Sequence, residues 1–410
     1  MRKWWVTLLS ILLLVAGYIS YTLVRNVNVN APKIAVATSI SPKELSSTKL
    51  NIPRSAIGYI DPSTDQIKCR NVGEAKYNDQ PVATASIAKT ITVQVVLDKY
   101  PLAKDTSGPM ITLGNQDVAN YQKAVIEGGS RLQVVAGEQL TERQMIEGIM
   151  MRSANNLADS LATWAFGSHE NYKAAATKWL KNHQLNRTTI GSDASGFSPD
   201  TTSTPIDLCK IMLLATQNKT LSDILSTAET DLPVVGHIKS TNRLLGQYGV
   251  FAGKTGYNNE AGRGVILARK LDINGESITT AIASLSRDSY DSAFQTATEL
   301  LQALPNDIQL YKIQRGKEVG IVTSKWGNSS RLITNRSAIV PYFADQPPVF
   351  KLKLLDQPRS SIAAQSIIGN LTVDNQTIDI TAKTDVSAPR LGWRLSHPFW
   401  GWLPNKITPP

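Results

Sequence analysis

The sequence predicts an α/β fold of the α+β type, in which a sheet and several helices form one large domain and a small all-β domain follows. Residues 55–60 and 66–70 are short strand-like segments separated by the turn sequence Asp-Pro-Ser-Thr. A capping box begins at Thr141, with helically spaced apolar residues after it. Beyond residue 304, short alternating segments separated by Gly, Asn and Pro are typical of strands alone.

The composition is that of an ordinary folded protein. The chain has 410 residues, enough for more than one domain, of which 42% are hydrophobic and 19% are charged. Its net charge of +10 suits an anionic envelope surface. Nucleic acid would require clustered basic runs, which the sequence lacks, so no nucleic-acid partner is predicted.

The N-terminus predicts a membrane anchor. Arg2 and Lys3 precede an uncharged run, Trp4–Val24, whose 21 residues can cross a bilayer as a helix. The preceding cations favour a cytoplasmic N-terminus, which places the rest of the chain on the extracytoplasmic side of the cell membrane. A cleaved signal peptide is the alternative, although the first Ala-x-Ala of the sequence ends at Ala37, 13 residues beyond the run. The prediction is a single-pass anchor at residues 1–26.

The remaining segments differ in composition. A stretch rich in Ser, Thr, Asn and Pro has no clear periodicity and is typical of a spacer, so folded structure is expected from about Ile52. The C-terminal tail mixes aromatic and basic residues, which suits a membrane interface or packing on the β domain. The predicted segments after the anchor are a linker at 27–50, a main domain at 51–304, a small β domain at 305–388 and a tail at 389–410.

The strongest candidate nucleophile is Ser86, which precedes Lys89 by three residues where an apolar run begins. If the run is helical, the two side chains lie one turn apart on one face, where the amine can accept the hydroxyl proton. Burial would bring the pKa of Lys89 toward neutrality, as a general base requires. A second Ser-x-x-Lys, at Ser46 and Lys49, lies in a polar stretch where nothing would bury its lysine.

A Ser-x-Asn motif follows at Ser153 and Asn155, between two predicted helices. At such a junction both side chains can point into a cleft, although simple helix capping is the commoner role of this pattern. A second copy at Ser240 and Asn242 shows that the pattern alone carries little information.

The third motif is Lys254-Thr255-Gly256, whose flanks predict an edge strand that presents a cation and a hydroxyl to a groove. A phosphate-binding loop would need Gly at position 248, which is Tyr.

Metal chemistry has no support in the sequence. The four histidines, His169, His183, His237 and His397, are scattered without ligand spacing, so neither a metal nor another cofactor is predicted. Two cysteines, Cys69 and Cys209, either form a disulfide outside the cytoplasm or stay free and buried.

Taken together, the three motifs are far more specific than any one of them, since they occur in a fixed order with 67 and then 101 residues between their first members. In this order the chain resembles the low-molecular-mass penicillin-binding proteins that are D-alanyl-D-alanine carboxypeptidases. Shorter landmarks extend the resemblance over residues 52–304, and they are Gly137-Glu138-Gln139-Leu140-Thr141, Ser192-Asp193-Ala194-Ser195-Gly196, Ser203-Thr204-Pro205, Thr241-Asn242-Arg243-Leu244-Leu245 and Ala261-Gly262. Gly253 and Tyr257, on either side of the third motif, depart from the family pattern.

The resemblance implies a β-lactamase/transpeptidase-like domain, with a mainly antiparallel sheet flanked by helices and a helical subdomain. It also implies a mechanism without metal or cofactor. Ser86 would attack the carbonyl between the two D-alanines of a peptidoglycan stem peptide, with Lys89 as the base, and Ser153 would pass a proton to the leaving amine. β-Lactams would be covalent inhibitors of the same serine.

Substrate binding is implied for a second group of residues. Asn155 would hold the peptide backbone and orient Lys89, Lys254 and Thr255 would bind the terminal carboxylate, and Gly256 would let the substrate approach. The backbone N–H groups of Ser86 and Tyr257 would form the oxyanion hole. Arg287 would either assist with the carboxylate or lie on the surface in solvent.

Three alternatives are weighed against this reading. A D,D-endopeptidase acting on cross-links would use the same residues, and the sequence separates it poorly. A class A β-lactamase would need a Glu-x-x-Leu-Asn loop, which is absent from the sequence. A binding relative that had lost the chemistry would be expected to lack one of the motifs, and all three are intact.

Overall fold

The structure is a computed structural model that describes residues 2–24, 27, 29, 33–34, 40–72, 80–354 and 361–397. The chain forms two compact units. The larger unit comprises Lys43–Gln309 and Phe343–Asp345, and the smaller unit comprises the described residues of Met1–Pro42, Leu310–Tyr342 and Gln346–Pro410.

The helices in chain order are α1 (Arg2–Val24), α2 (Ser46–Lys49), a 3₁₀ helix (Ala85–Ala88), α3 (Lys89–Lys99), α4 (Asn115–Ile126), α5 (Glu142–Arg152), α6 (Asn155–Phe166), α7 (His169–Asn182), α8 (Pro205–Gln217), α9 (Lys219–Ser226), α10 (Tyr290–Asp307) and α11 (Leu391–Ser396). The strands are β1 (Lys33–Ile34), β2 (Ser55–Ile60), β3 (Ile67–Val72), β4 (Val82–Ala83), β5 (Met110–Thr112), β6 (Gln139–Thr141), β7 (Thr202–Ser203), β8 (Glu229–Leu232), β9 (Gly236–Lys239), β10 (Val250–Asn258), β11 (Gly262–Ile273), β12 (Glu276–Arg287), β13 (Ile308–Ile313), β14 (Glu318–Thr323), β15 (Ser329–Thr334), β16 (Ala338–Phe343), β17 (Phe350–Leu354), β18 (Ile367–Val373) and β19 (Gln376–Ala382).

The larger unit is built on a five-stranded antiparallel sheet with the order β10-β11-β12-β2-β3. The hairpin predicted near the start of the folded region is confirmed as β2 and β3. Consecutive residues Ile266, Leu267 and Ala268 of β11 are all fully buried, because helices cover both faces of the sheet. Those helices are α8 and α10, which pack on β11 and β12. Strand β10 is an edge strand, as its flanks predicted.

Helices α5 and α6 belong to a helical subdomain of the larger unit. The capping box at Thr141 is confirmed, since its hydroxyl accepts a hydrogen bond from the Gln144 N–H (3.2 Å) and the Gln144 side chain accepts one from the Thr141 N–H (2.9 Å). Helix α5 therefore begins at the expected residue and buries Met145, Ile146 and Ile149 completely. Helix α6, the second of the two helices predicted on either side of the Ser-x-Asn motif, begins at Asn155.

Regular structure begins earlier than the composition suggested. The Asp307 carboxylate accepts hydrogen bonds from the backbone N–H groups of Ser46 (2.5 Å) and Ser47 (3.1 Å) at the start of α2. A carboxylate at a helix N-terminus satisfies donors that the helix itself leaves unpaired. Because its partner lies about 260 residues away in sequence, α2 was not foreseen.

The two cysteines are free thiols in contact. Their sulfur atoms lie 3.4 Å apart, with Cys209 fully buried on α8 and Cys69 partly exposed on β3. The sequence left open whether the two cysteines form a disulfide or stay free, and in the structure they are free.

The smaller unit contains a six-stranded antiparallel sheet with the order β1-β14-β15-β19-β18-β17. Its core is a set of aliphatic side chains that includes Leu332, Ile378 and Ile380, all of which are fully buried. The short alternating segments that the sequence shows beyond residue 304 include β13, β17, β18 and β19.

Helix α1 also belongs to the smaller unit. By length and composition, Trp4–Val24 is the one helix among the described residues that can cross a membrane. Its C-terminal end contacts α11, where Tyr18 donates a hydrogen bond to the Leu395 carbonyl (2.8 Å) and Arg394 donates one to the Thr22 carbonyl (3.2 Å). The tail residues Phe399, Trp400, Trp402 and Lys406 lie outside the described residues.

Candidate active site

Ser86 lies on the single 3₁₀ turn that runs directly into α3. Side chains three residues apart are eclipsed in a 3₁₀ helix, so this turn aligns Ser86 with Lys89 more closely than an α-helix would. The Lys89 amine lies 2.8 Å from the Ser86 hydroxyl oxygen. The prediction of a helix that brings the two together is confirmed, with 3₁₀ in place of α geometry at the serine.

Lys89 is completely buried, and two further oxygens contact its amine. The Asn155 side-chain oxygen lies at 2.7 Å and the Ser195 carbonyl oxygen at 2.8 Å. Burial lowers the pKa of Lys89 to about 7, against the opposing effect of the Asp193 and Asp159 carboxylates. A neutral amine is therefore accessible near neutral pH.

The three neighbours of the amine determine where its lone pair points. A neutral amine has two N–H donors and one lone pair, and both the Asn155 amide oxygen and the Ser195 carbonyl can only accept. They take the two N–H groups, which leaves the lone pair for the third neighbour, the Ser86 hydroxyl. This arrangement is the one a general base needs toward an alcohol.

Lys254 supplies a second buried amine from edge strand β10. Its amine donates hydrogen bonds to the Ser153 hydroxyl (2.9 Å) and to the Thr255 carbonyl (2.9 Å). Burial, and then the like charge of Lys89, hold the pKa of Lys254 well below its usual value. The two amines thus disfavour each other's charged form.

The turn between α5 and α6 positions Ser153. This residue adopts a left-handed backbone conformation (φ 61°) at the C-cap of α5. Asn155 then begins α6, so one short junction delivers the hydroxyl that contacts Lys254 and the amide that contacts Lys89. The cleft interpretation of the Ser-x-Asn motif is the one that matches this geometry.

Gly256 lets β10 lie directly against the turn that carries Ser86. A Cβ at this position would lie 2.8 Å from the Thr84 carbonyl oxygen and 3.1 Å from the Ile87 nitrogen. Those are backbone atoms, which cannot move aside as a flexible side chain can. The sequence interpretation assigned this space to the substrate, whereas the structure fills it with the protein's own backbone.

The loop 192–198 holds the Ser195 carbonyl in place. Asp193 accepts hydrogen bonds from the backbone N–H groups of Ser195 (2.7 Å), Phe197 (3.2 Å) and Ser198 (2.6 Å). Gly196, at φ 69°, presses the loop against the turn before Ser86, since a Cβ there would clash with the Ala85 carbonyl. A side chain that gathers several backbone donors makes such a loop rigid.

These motifs line a cleft of about 1410 Å³. Its walls include the predicted residues Ser86, Ser153, Asn155, Thr255, Gly256 and Tyr257. No functional role was predicted for Thr241, whose hydroxyl lies 3.3 Å from that of Thr255, for Asp159 or for the Ser195 carbonyl. The Asp-x-Ser pattern at Asp193 was the available signal for a side-chain-stabilised turn.

Of the predicted binding residues Tyr257 and Arg287, only Tyr257 lies in the cleft. Tyr257 lines the cleft, partly exposed, with the Arg263 guanidinium 3.9 Å from its ring centre. Arg287 is not brought into the cleft. Its guanidinium donates hydrogen bonds to the Ser284 hydroxyl (3.1 Å) and the Pro53 carbonyl, so it joins the end of β12 to the start of β2.

The second copies of the Ser-x-x-Lys and Ser-x-Asn motifs lack the contacts that Lys89 and Asn155 make. Lys49 is exposed and contacts Glu44 at 3.5 Å, as expected for a lysine that nothing buries. Asn242 is buried, but its side-chain oxygen accepts a hydrogen bond from the Leu244 N–H (3.1 Å) within its own turn. Among the described residues, no group of three or more His, Cys, Asp or Glu side chains is placed to hold a metal ion.

Comparisons with known proteins identify the family of the chain. The family model described as D-alanyl-D-alanine carboxypeptidase, peptidase S11, matches residues 66–282, more than half of the chain. D-alanyl-D-alanine carboxypeptidase DacF of Bacillus subtilis (strain 168) is 26% identical over 200 residues, which are 47% of this chain and 50% of that protein. The chain thus spans about half the length of this curated relative.

Two solved structures are similar in fold. Penicillin binding protein 5 from Haemophilus influenzae aligns with a TM-score of 0.59 at 17% identity, covering 85% of this chain and 100% of that one. D-alanyl-D-alanine carboxypeptidase DacD from Francisella tularensis aligns with a TM-score of 0.60 at 16% identity, covering 86% and 98%. The region matched by the family model contains all three motifs that meet in the cleft, and the chain belongs to the D-alanyl-D-alanine carboxypeptidase family of S11 peptidases.

Proposed function

We propose that the protein is a serine-type D-Ala-D-Ala carboxypeptidase, which removes the terminal D-alanine from peptidoglycan stem peptides through an acyl-enzyme on Ser86. The observation that carries this proposal is the buried Lys89 amine, 2.8 Å from the Ser86 oxygen, with two pure acceptors on its other side. With both N–H groups of the neutral amine used by these acceptors, the Lys89 lone pair can accept a proton only from the Ser86 hydroxyl. Penicillin, a mimic of the same acyl donor, acylates the same oxygen.

Acylation begins when the Lys89 lone pair takes the Ser86 proton as the oxygen attacks the carbonyl between the two D-alanines. The backbone N–H groups of Ser86 and Tyr257 stabilise the oxyanion. Ser153 then donates its proton to the leaving amine, and the Lys254 amine, 2.9 Å away, restores that proton. The terminal D-alanine leaves, and Lys89 releases the proton that it took from Ser86, which replaces the proton that Lys254 gave up. Water then attacks the ester, and the neutral Lys89 is again the base.

Substrate binding uses the anionic end of the peptide. An incoming carboxylate near Lys254 favours the charged form of that amine, which burial otherwise disfavours. Thr255 adds a hydroxyl donor to the same carboxylate. Asn155 holds the peptide backbone with the side-chain nitrogen that no protein atom binds among the described residues.

Mass spectrometry of a D-Ala-D-Ala pentapeptide incubated with the protein tests the proposal. We expect loss of one alanine with the native protein and an intact peptide with Ser86→Ala. A peptide that stays intact with both proteins, while a cross-linked dimer is cleaved by the native protein alone, would replace the carboxypeptidase by a D,D-endopeptidase. Rapid hydrolysis of a chromogenic cephalosporin would instead favour a β-lactamase.

We also propose that α1 anchors the protein in the cell membrane, with the cleft on the extracytoplasmic side. The apolar run Trp4–Val24 is long enough to cross, and it is almost entirely uncovered by the rest of the protein. The full chain should stay with membranes after alkaline washing, and a chain that lacks residues 2–26 should not. Release of the full chain by the wash would contradict the anchor.

A further inference from the structure

Asp159 lies one helical turn beyond Asn155 on α6, so the two side chains share one face of the helix. Asn155 contacts Lys89 directly, and Asp159 accepts a hydrogen bond from the Ala194 backbone N–H at 3.0 Å. Both residues line the cleft. One helix face therefore contacts the amine of Lys89 and the loop that carries its other acceptor.

Two hydrogen bonds hold Ala194, the residue that precedes Ser195. Asp159 holds the Ala194 N–H, and the Thr92 hydroxyl donates to the Ala194 carbonyl at 2.6 Å. The next carbonyl along the chain, that of Ser195, accepts the hydrogen bond from Lys89. Loss of the Asp159 contact would free the Asp193–Ala194 peptide group and leave the Ala194 N–H without its partner.

We propose that Asp159 is a positioning residue for the Ser86–Lys89 pair, which acts by holding the Ala194–Ser195 backbone and by placing a negative charge near the lysine. The inference rests on the proposed function, because it concerns the base of that reaction. Asp159 touches neither substrate nor the reacting atoms in this role, so its effect passes through Lys89.

Several ionisable groups surround Asp159. They are Asp193 on the loop, Lys89 on α3, Lys123 on α4 and Tyr172 on α7. Burial, and then the Asp193 carboxylate, raise the pKa of Asp159 to about 6. The ionised Asp159 in turn favours the protonated form of Lys89 and so raises the pKa of the base.

The sign of the charge effect gives a distinctive test. Asp159→Asn keeps an oxygen that can accept the Ala194 N–H and removes the negative charge. The pKa of Lys89 should fall, so the acid limb of Ser86 acylation should move to lower pH. Asp159→Ala removes the charge and the acceptor, so its acid limb should also move to lower pH and its acylation rate above that limb should fall about tenfold.

The measurement is the second-order rate constant for acylation by a fluorescent penicillin from pH 5 to 9, with the full-length protein. Asp272→Asn is a matched control, because Asp272 also accepts one backbone N–H (Gly275, 3.1 Å) but lies at the exposed β11–β12 turn. Thermal unfolding of each variant checks that it is folded.

The outcomes separate the two proposals. An acid limb that moves in Asp159→Asn and stays in Asp272→Asn supports the inference. An unmoved acid limb in Asp159→Asn together with native rates in Asp159→Ala overturns it while leaving the proposed function intact. A native protein that penicillin does not label at any pH overturns the proposed function itself.

Discussion

In Lys89→Arg, the rate at which penicillin acylates Ser86 should fall by roughly 10³-fold, within the range that a positioned general base contributes. Arginine keeps the positive charge and can still donate to the Asn155 and Ser195 oxygens, which lie 2.7 and 2.8 Å from the native amine. It does not deprotonate in proteins, so it offers no lone pair to the hydroxyl. The loss would therefore report the missing base and not a missing cation.

The experiment compares rates of labelling with a fluorescent penicillin. Lys49→Arg serves as the control, because Lys49 stands in the other Ser-x-x-Lys and is exposed beside Glu44. It should label at the native rate. If Lys89→Arg keeps its rate within about tenfold of native, the deprotonated amine is not what activates Ser86.

Gly256→Ala should abolish most acylation and destabilise the larger unit. The added methyl would lie 2.8 Å from the Thr84 carbonyl oxygen and 3.1 Å from the Ile87 nitrogen, so β10 and the Ser86 turn must separate. Overpacking of this kind costs about 1–3 kcal/mol in unfolding free energy. Separation also moves Thr255 and the Tyr257 N–H away from Ser86, and a displacement of about 1 Å can reduce a rate by about 10²-fold.

Thermal unfolding and penicillin labelling measure the two effects together. Gly114→Ala is the control, because a Cβ at Gly114 meets nothing within 4 Å and the backbone there is extended. Its labelling rate should be unchanged. Native labelling by Gly256→Ala would mean that β10 need not lie so close to the nucleophile turn.

The parts of the site that were predictable from sequence are those set by local geometry. Ser86 and Lys89 meet because they are three residues apart on one helical turn. The capping box at Thr141 likewise needs only residues within one turn, and α5 begins where it predicts. Strand β2 was predictable too, because a short run bounded by turn residues is typical of a strand that is buried on both faces.

The parts that were missed depend on contacts between distant segments. Nothing near Lys89 in sequence identifies the Ser195 carbonyl as its acceptor, since the two are 106 residues apart. The same holds for Asp307 and α2. Gly256 was recognised as a motif residue, but only the fold reveals that its neighbours are Thr84 and Ile87. The sequence around Arg287 also could not show whether its side chain enters the cleft or contacts the Pro53 carbonyl, because Pro53 lies far away along the chain.

In this mechanism a large fraction of Lys89 is neutral near physiological pH while its amine faces the Ser86 hydroxyl. A ¹³C NMR titration of protein labelled at lysine Cε measures this directly, with Lys89→Arg used to assign the signal. We expect the Lys89 resonance to titrate at about pH 7. A Lys89 resonance that titrates near 10.5, the ordinary value for a solvated lysine, would contradict the mechanism.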